Sequence, residues 1–213
     1  HFETEKMISL LVTGSSGFVG RHLLGKVAGM EDYKNGALVR SAPAQPCEGV
    51  VYHLLNDFST ITAEHEALKN VDVVIHLSSR VHVMNDTEAD PLTAFRRVNV
   101  EQTLQLARSA ALAGTKRFIF VSSVKVNGEG TIPGHPYRET DVPAPADPYG
   151  QSKMEAEQGL RLLAAETGLE VVIIRPVLVY GPRVKANFES MMMWLSTGVP
   201  LPFGSIRNHR SLV

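Results

Sequence analysis

At 213 residues, with 44% hydrophobic, 20% charged and 7% aromatic residues, the chain has the composition of a soluble globular protein long enough to bury a core, as one large α/β domain or two small ones. A net charge of -1 with no basic stripe argues against nucleic acid as a partner. A single cysteine, Cys47, excludes an internal disulfide and a cysteine-rich metal site and fits a reducing cytoplasm, and no apolar run approaches the roughly 18 residues that a membrane span needs.

His1 to Lys6 precede Met7 and are expected to be a remnant outside the fold, with no signal-peptide core. From Ile8 the order is strand, turn, helix. The apolar run Leu10-Leu11-Val12 breaks into Gly14, Gly17 and Gly20, and Arg21-His22-Leu23-Leu24 then takes up helical spacing. Gly14 permits the turn, Gly17 permits close approach of a ligand, and Gly20 permits tight packing of the helix on the strand. Free N–H groups at the helix start, with the dipole behind them, suit a pyrophosphate. The turn therefore predicts a dinucleotide cradle with Ser16, Phe18 and Val19 among its contacts.

The first helix is expected to run from Phe18 to about Gly29, and Gly36 to Arg40 reads as a second strand. An acidic residue at this second strand end would hold adenosine ribose hydroxyls, whereas an arginine accommodates a 2′-phosphate. Arg40-Ser41 stands there, so the reading leans toward NADP over NAD, against the alternative of one more solvated charge. Val50 to Leu55 forms a third apolar run, a helix is expected before Lys69, and Val71 to Leu77 reads as a strand buried on both faces. It ends in Ser78-Ser79, small residues that leave room for a ligand at the carboxyl end of a parallel sheet, or else structural polar groups.

Asp90-Pro91 to Gly114 is expected to be one long helix, with Asn99 inside it either binding or bonded to a neighbouring backbone. Arg117 to Val121 is the next strand, ending in Ser122-Ser123. A proline- and glycine-rich loop over 127–148 leads to a helix from about Tyr149 to Thr167, and Glu170 to Arg175 forms the last strand. Phe188 to Leu195 reads as helical. Alternating strands and helices after one glycine-rich turn predict a doubly wound parallel sheet of Rossmann type, with residues 7–182 as the dinucleotide-binding domain and 183–213 as the truncated start of a substrate-binding part.

Tyr149 and Lys153 are four residues apart on one helix face, and Ser123 ends the preceding strand. A phenol is a poor base at its free pKa of about 10, and a neighbouring ammonium favours the phenolate. A serine hydroxyl can hold the oxygen of a substrate alcohol or ketone while the tyrosine exchanges its proton and a nicotinamide exchanges hydride.

These residues resemble those of the extended short-chain dehydrogenase/reductases, within the NAD(P)-dependent nucleotide-sugar epimerase/dehydratase group. The resemblance runs from Met7 to Val213. It rests on Thr13 to Gly20, His76-Leu77-Ser78-Ser79, Val121-Ser122-Ser123, Tyr149-Gly150-Gln151-Ser152-Lys153 and Arg175 to Pro182. It implies that Ser123, Tyr149 and Lys153 are catalytic, that Lys153 also holds the nicotinamide ribose, and that Asp57-Phe58 lies at the adenine. It places Pro176 and Val179 beside the nicotinamide, and Leu77, Ser78, Ser79, Asn99 and Val121 along the cofactor. Asn187 and Arg210 resemble residues that hold a nucleotide diphosphate of the substrate.

Departures narrow the choice. Dehydratases of the group carry Asp-Glu after the serine or threonine, and Val124-Lys125 stands there instead, which disfavours elimination. Ser78-Ser79 replaces the usual paired alanines. Such proteins continue for about another hundred residues, so Arg210 to Val213 is expected to enter a further part. The expected function is oxidoreduction at C4 of a nucleotide-diphosphate sugar, as 4-epimerase or 4-keto reductase, in a cytoplasmic enzyme without nucleic acid or membrane partners, as a monomer or a homodimer. The alternative is an NADP-binding sensor that does no chemistry, for which Tyr149 and Lys153 would be unnecessary.

Overall fold

A computed structural model describes residues 7–81, 90–182, 192–194, 196–197 and 211–213. Contacts divide the chain into one unit through Arg175 and a second from Pro176 to Val213.

The first unit is a six-stranded sheet in which every strand pair is parallel. Its strands are β1 (Ile8–Thr13), β2 (Tyr33–Val39), β3 (Val50–Leu54), β4 (Val73–His76), β5 (Arg117–Val121) and β6 (Glu170–Ile174), in the order β3-β2-β1-β4-β5-β6. The doubly wound sheet expected from the sequence is the one found. β1 is buried from Leu10 to Thr13 because both its faces are covered. Val12 packs with Leu24 of helix α1 (Phe18–Val27), whereas Leu11 belongs to the larger core with Leu106, Leu160 and Phe118. That core is supplied by α3 (Gln102–Leu112) and α4 (Pro148–Thr167). Apolar residues on both faces are what a parallel strand between two helix layers requires.

Between β1 and β4 the chain order reverses, which opens a crevice at the carboxyl ends of these strands. The turn after β1 lies directly against the end of β4. A Cβ on Gly14 would sit 2.6 Å from Ser78 N and 2.7 Å from Leu77 C, and Gly14 also has φ +69°. A Cβ on Gly20 would be 2.3 Å from Gly14 O. These glycines are required by contact as well as by conformation.

Two segments differ from the sequence reading. The helix expected before Lys69 is replaced by two 3₁₀ turns, Phe58–Thr60 and Glu66–Leu68. Asp57 Oδ1 accepts from Ser59 N and His65 Nδ1 from Ala67 N, so side chains satisfy the first backbone donors and a longer helix has nothing to add. The rod expected from Asp90 to Gly114 is helical but interrupted: α2 (Pro91–Arg96) passes through a widened π turn, Arg97–Glu101, into α3. Such a turn displaces one residue from the regular ladder, and Asn99 sits inside it.

In the second unit Leu178 pairs in parallel with Leu212, joined by Tyr180 N to Val213 O and Val213 N to Leu178 O. Met192 to Trp194 are helical; the rest of the helix expected over 188–195 lies outside the described residues.

Gly20→Ala is expected to lower stability by about 2 kcal/mol or more, because backbone and not a flexible side chain occupies the space. Urea unfolding measures it, and a loss no larger than that of Gly25→Ala, where the space is open, would contradict the packing argument.

Candidate functional site

The opening turn is closed by Gly17 N donating to Gly14 O at 3.0 Å, and Gly17 forms the N-cap of α1 in extended conformation. No side chain caps α1, so its first N–H groups point outward unclaimed by side-chain oxygens. Ser16 and Val19 are exposed and Phe18 half-buried, whereas Gly20 is buried against the turn. A backbone cradle with no room for a Cβ at its base and free donors at its mouth is chemically suited to a diphosphate.

Beyond the turn, an open depression of about 700 Å³ brings Arg40, Asp57, Phe58, Ser78 and Ser79 together. Arg40 is exposed at the end of β2. Asp57 accepts from Ser59 N at 2.8 Å and from Gln102 Nε2 at 2.9 Å, and its carboxyl is held below the usual range chiefly by the Ser59 backbone hydrogen bond, with Arg97 adding a smaller attraction. Leu77 donates its N–H to Thr13 O, and Ser78 N donates to Thr13 Oγ1 at 3.3 Å.

Tyr149 stands in the first turn of α4. Asp147 caps that helix by accepting from Gly150 N at 2.6 Å, Pro148 opens it, and Lys125 pairs with Asp147 from the turn after β5. Burial raises the phenol pKa above its ordinary value. The hydroxyls of Ser79 and Ser123 and the charge of Lys125 oppose this, while Asp147 adds to the rise. Ser123 Oγ also accepts from Lys125 N at 3.2 Å, which holds its side chain at the strand end.

Lys153 lies one turn further along α4 and is only 1% exposed. Its Nζ donates to Val121 O at 2.8 Å and lies 4.3 Å from the centroid of the Phe120 ring. Burial pushes its pKa down to about 7, with Glu157 pulling the other way. The sequence reading made the Lys153 ammonium the group that acidifies Tyr149. In this structure Lys153 Nζ is bonded to Val121 O on β5, and the charge of Lys125 adds a small lowering at the phenol. Val121 is brought to the site as the backbone anchor of Lys153.

Asn99, expected among the cofactor contacts, is 1% exposed and bound on several sides. Its Oδ1 accepts from Arg80 N at 2.8 Å, and its Nδ2 donates to Arg80 O at 3.1 Å and to Ser152 Oγ at 3.0 Å. Pro176 and Val179 belong to the second unit. Asn187 and Arg210 lie outside the described residues.

Two buried polar groups escaped the sequence reading. Glu157 is fully buried and takes two hydrogen bonds from Arg175 at 2.9 and 2.6 Å, one from Ser122 at 2.6 Å and one from Arg161 at 3.2 Å. Burial raises its carboxyl pKa, but these partners outweigh burial and leave it below the ordinary value. Its spacing of four from Lys153, on the face carrying Ala156 and Leu160, was the available signal. His76 bridges Thr13 Oγ1 at 2.7 Å and Thr103 Oγ1 at 3.0 Å, linking β1 and β4 to α3, and stacks on Phe120 at 6.0 Å. Nothing in an apolar strand run marks a histidine as a bridge.

Among the described residues no group of three or more His, Cys, Asp or Glu could hold a metal ion, and no helix is long and apolar enough to cross a membrane.

The sequence signature of the NAD dependent epimerase/dehydratase family matches residues 10–197. A UDP-glucose 4-epimerase of Vibrio cholerae is 50% identical over 206 residues, covering 96% of this chain and 62% of that protein. One from Mycolicibacterium smegmatis is 32% identical over 84% of this chain and 59% of its own length. Among solved structures, MoeE5 in complex with UDP-glucuronic acid and NAD has a TM-score of 0.73 and 28% identity, covering 87% of this chain and 60% of that one. The chain thus spans about 60% of the length of the relatives it matches.

His76 is expected to make the fold acid-sensitive. Burial first, and then the charge of Lys153, lower its pKa from 6.5 to about 3. The unfolded chain therefore binds a proton that the folded chain refuses, and stability is lost as pH falls from about 6.5 toward 3, at up to about 1.4 kcal/mol per pH unit. Urea unfolding of wild type and His76→Gln between about pH 6 and 5, above the carboxylate range, measures this slope. An unchanged slope in the variant would contradict it.

Proposed function

Because the chain belongs to the NAD dependent epimerase/dehydratase family, we propose that it carries the dinucleotide-binding and proton-transferring part of a nucleotide-sugar 4-epimerase, with NAD as cofactor and a UDP-sugar as substrate. The relatives named above support the substrate class and favour epimerase over reductase. The reading draws most on one arrangement: Ser123 follows β5, Tyr149 opens α4 with Lys153 one helical turn on, and a diphosphate-shaped turn follows β1 of the same sheet.

In this reading residues 7–182 hold the cofactor and 183–213 begin the substrate side. Gly14, Ser16, Gly17, Phe18, Val19 and Gly20 take the diphosphate on backbone donors. Arg40, Asp57 and Phe58 line the adenosine end, and Leu77, Ser78, Ser79 and Val121 follow the strand ends toward Tyr149 and Lys153. Pro176 and Val179 face the nicotinamide, and Asn187 and Arg210 hold the substrate diphosphate. Asn99 serves through the backbone of Arg80. When bound, NAD supplies the hydride acceptor and donor at sugar C4.

The residues of the chain handle the proton. Ser123 holds the C4 oxygen by hydrogen bond while Tyr149 accepts the hydroxyl proton and later returns it. Lys153, with a pKa near neutrality, shifts toward its charged form when a ligand oxygen offers it a further acceptor. Inversion requires hydrogen to return to the opposite face of the ketone, so the 4-keto sugar turns over between the two transfers.

Exposed Leu112 and Leu162, on α3 and α4, support pairing of two copies, and the single cysteine supports a reducing cytoplasm as the compartment. A second reading, 4-keto reduction with NADPH, is favoured by Arg40 at the rim of the adenosine depression.

In the chain at the full length of its relatives, Tyr149→Phe is expected to lower kcat by about 10² to 10⁴ while dinucleotide affinity stays within a small factor. Unchanged turnover would remove the mechanism. Mass spectrometry of the dinucleotide that copurifies with the same protein separates the two readings. Retained NAD accords with epimerase; an empty site with NADPH consumed on a keto sugar would favour the reductase.

A further inference from the structure

Helix α3 turns one polar row toward the segment that follows β3. Gln102, Gln105 and Ser109 share a helix face through their spacing of three and four. Gln105 Nε2 and Ser109 Oγ both donate to Ile61 O, at 2.8 and 2.9 Å, so these two hold backbone. Gln102 differs in kind, because its Nε2 donates at 2.9 Å to a side chain, the Asp57 carboxylate. The π turn sets its place: the Gln102 N–H donates to Arg97 O, five residues back.

Asp57 does not need the glutamine to keep its backbone in position. Asp57 O accepts from Thr60 N at 3.2 Å and from Thr60 Oγ1 at 2.8 Å, and Asp57 Oδ1 caps the first 3₁₀ turn by accepting from Ser59 N at 2.8 Å. The Gln102 bond falls on that same oxygen. Two donors arriving from different elements fix the rotation of the carboxylate, which the Ser59 bond alone leaves free to turn.

The exposed carboxylate lines the depression that also holds Arg40, Ser78 and Gln102 itself. Sheet order β3-β2-β1 puts the diphosphate-shaped turn at the end of β1, Arg40 at the end of β2 and Asp57 after β3, at the outer edge. A nucleoside running outward from its diphosphate presents ribose first and base last, so the base is the part that comes to Asp57. An ionised carboxylate only accepts hydrogen bonds, and its partner on the base must be a donor. The 6-amino group of adenine is such a donor; a 6-oxo purine offers an acceptor there.

We propose that Gln102 is a positioning residue for the adenosine end of the site: by holding Asp57 Oδ1 from α3 it sets the carboxylate to receive the adenine amino group, and so makes the site prefer a 6-amino to a 6-oxo purine dinucleotide. The inference rests on the proposed placing of the dinucleotide along the strand ends.

Calorimetric titration of NAD and of nicotinamide hypoxanthine dinucleotide into the chain at the full length of its relatives gives the ratio of the two Kd values. Wild type is expected to bind NAD about tenfold tighter or more, the effect of one hydrogen bond to a charged group. Gln102→Met, which keeps length and helix propensity but has no donor, is expected to cut that ratio about threefold or more. Gln105→Met, which removes a backbone anchor, is expected to leave it unchanged. A ratio unchanged in Gln102→Met, or cut as far in Gln105→Met, overturns the inference. A merely structural role would weaken both dinucleotides together without moving the ratio. Asp57→Ala separates the two levels: a ratio lost there but retained in Gln102→Met overturns this inference alone. A wild-type ratio near one overturns it together with the placing of adenine at Asp57, and a wild type that binds neither dinucleotide removes the proposed function.

Discussion

The contact on which the first unit depends is the approach of the turn after β1 to the end of β4. With Gly14 backbone so near Ser78 N and Leu77 C that no side chain fits between them, the two strands flanking the reversal of sheet order are held at their carboxyl ends. His76 reinforces this closure from below, bonded to Thr13 on β1 and to Thr103 on α3. Everything at the candidate site inherits its position from that closure. The crevice exists because the helices following β1 and β4 depart to opposite faces, and the glycines let it be lined by backbone donors.

Buried ionisable groups cluster behind the site. Lys153 and Glu157 share one face of α4, and Glu157 is matched by Arg175, Arg161 and Ser122. An ion pair so deeply buried gives little net stability, because desolvation offsets most of the Coulomb attraction. Removing one partner would nevertheless cost several kcal/mol, by stranding the other. Its value here is geometric. Glu157 holds the last residue of the first unit, Arg175, against α4, and it also pulls the Lys153 pKa upward against burial. The lysine is thereby poised near neutrality, where a single additional acceptor changes its charge state.

The π turn has a comparable role. It lets Asn99 face the end of β4 and α4 together, so that a loop and a helix distant in sequence are held in register around the Tyr149 ring. The hydroxyls of Ser79 and Ser123, which follow neighbouring strands, oppose the effect of burial on the phenol. Burial is nonetheless the largest influence on the phenol in this arrangement. Under the proposed function, a working pKa would depend on charge brought near the phenol, and Lys153 one turn away is a source of it.

The strands, α1, the start of α4 and the glycine turn were legible in the sequence, because each depends on residues within a few positions of one another: apolar period, a proline-rich loop ahead of a helix, glycines at fixed spacing. The segment before Lys69 misled, since Asp57 and His65 divert the backbone by side-chain bonds that no periodicity reveals. Tyr149 and Lys153 could be paired by spacing alone, but spacing could not tell that Lys153 would turn inward to Val121 O. The sequence by itself determined the order of elements and the kinds of groups available at the strand ends. Only the tertiary structure decided which of them meet, bringing Asn99 to Arg80 and to Ser152 and Arg175 to Glu157, because partners 18 to 53 residues apart along the chain are chosen by how the π turn and α4 pack on the sheet.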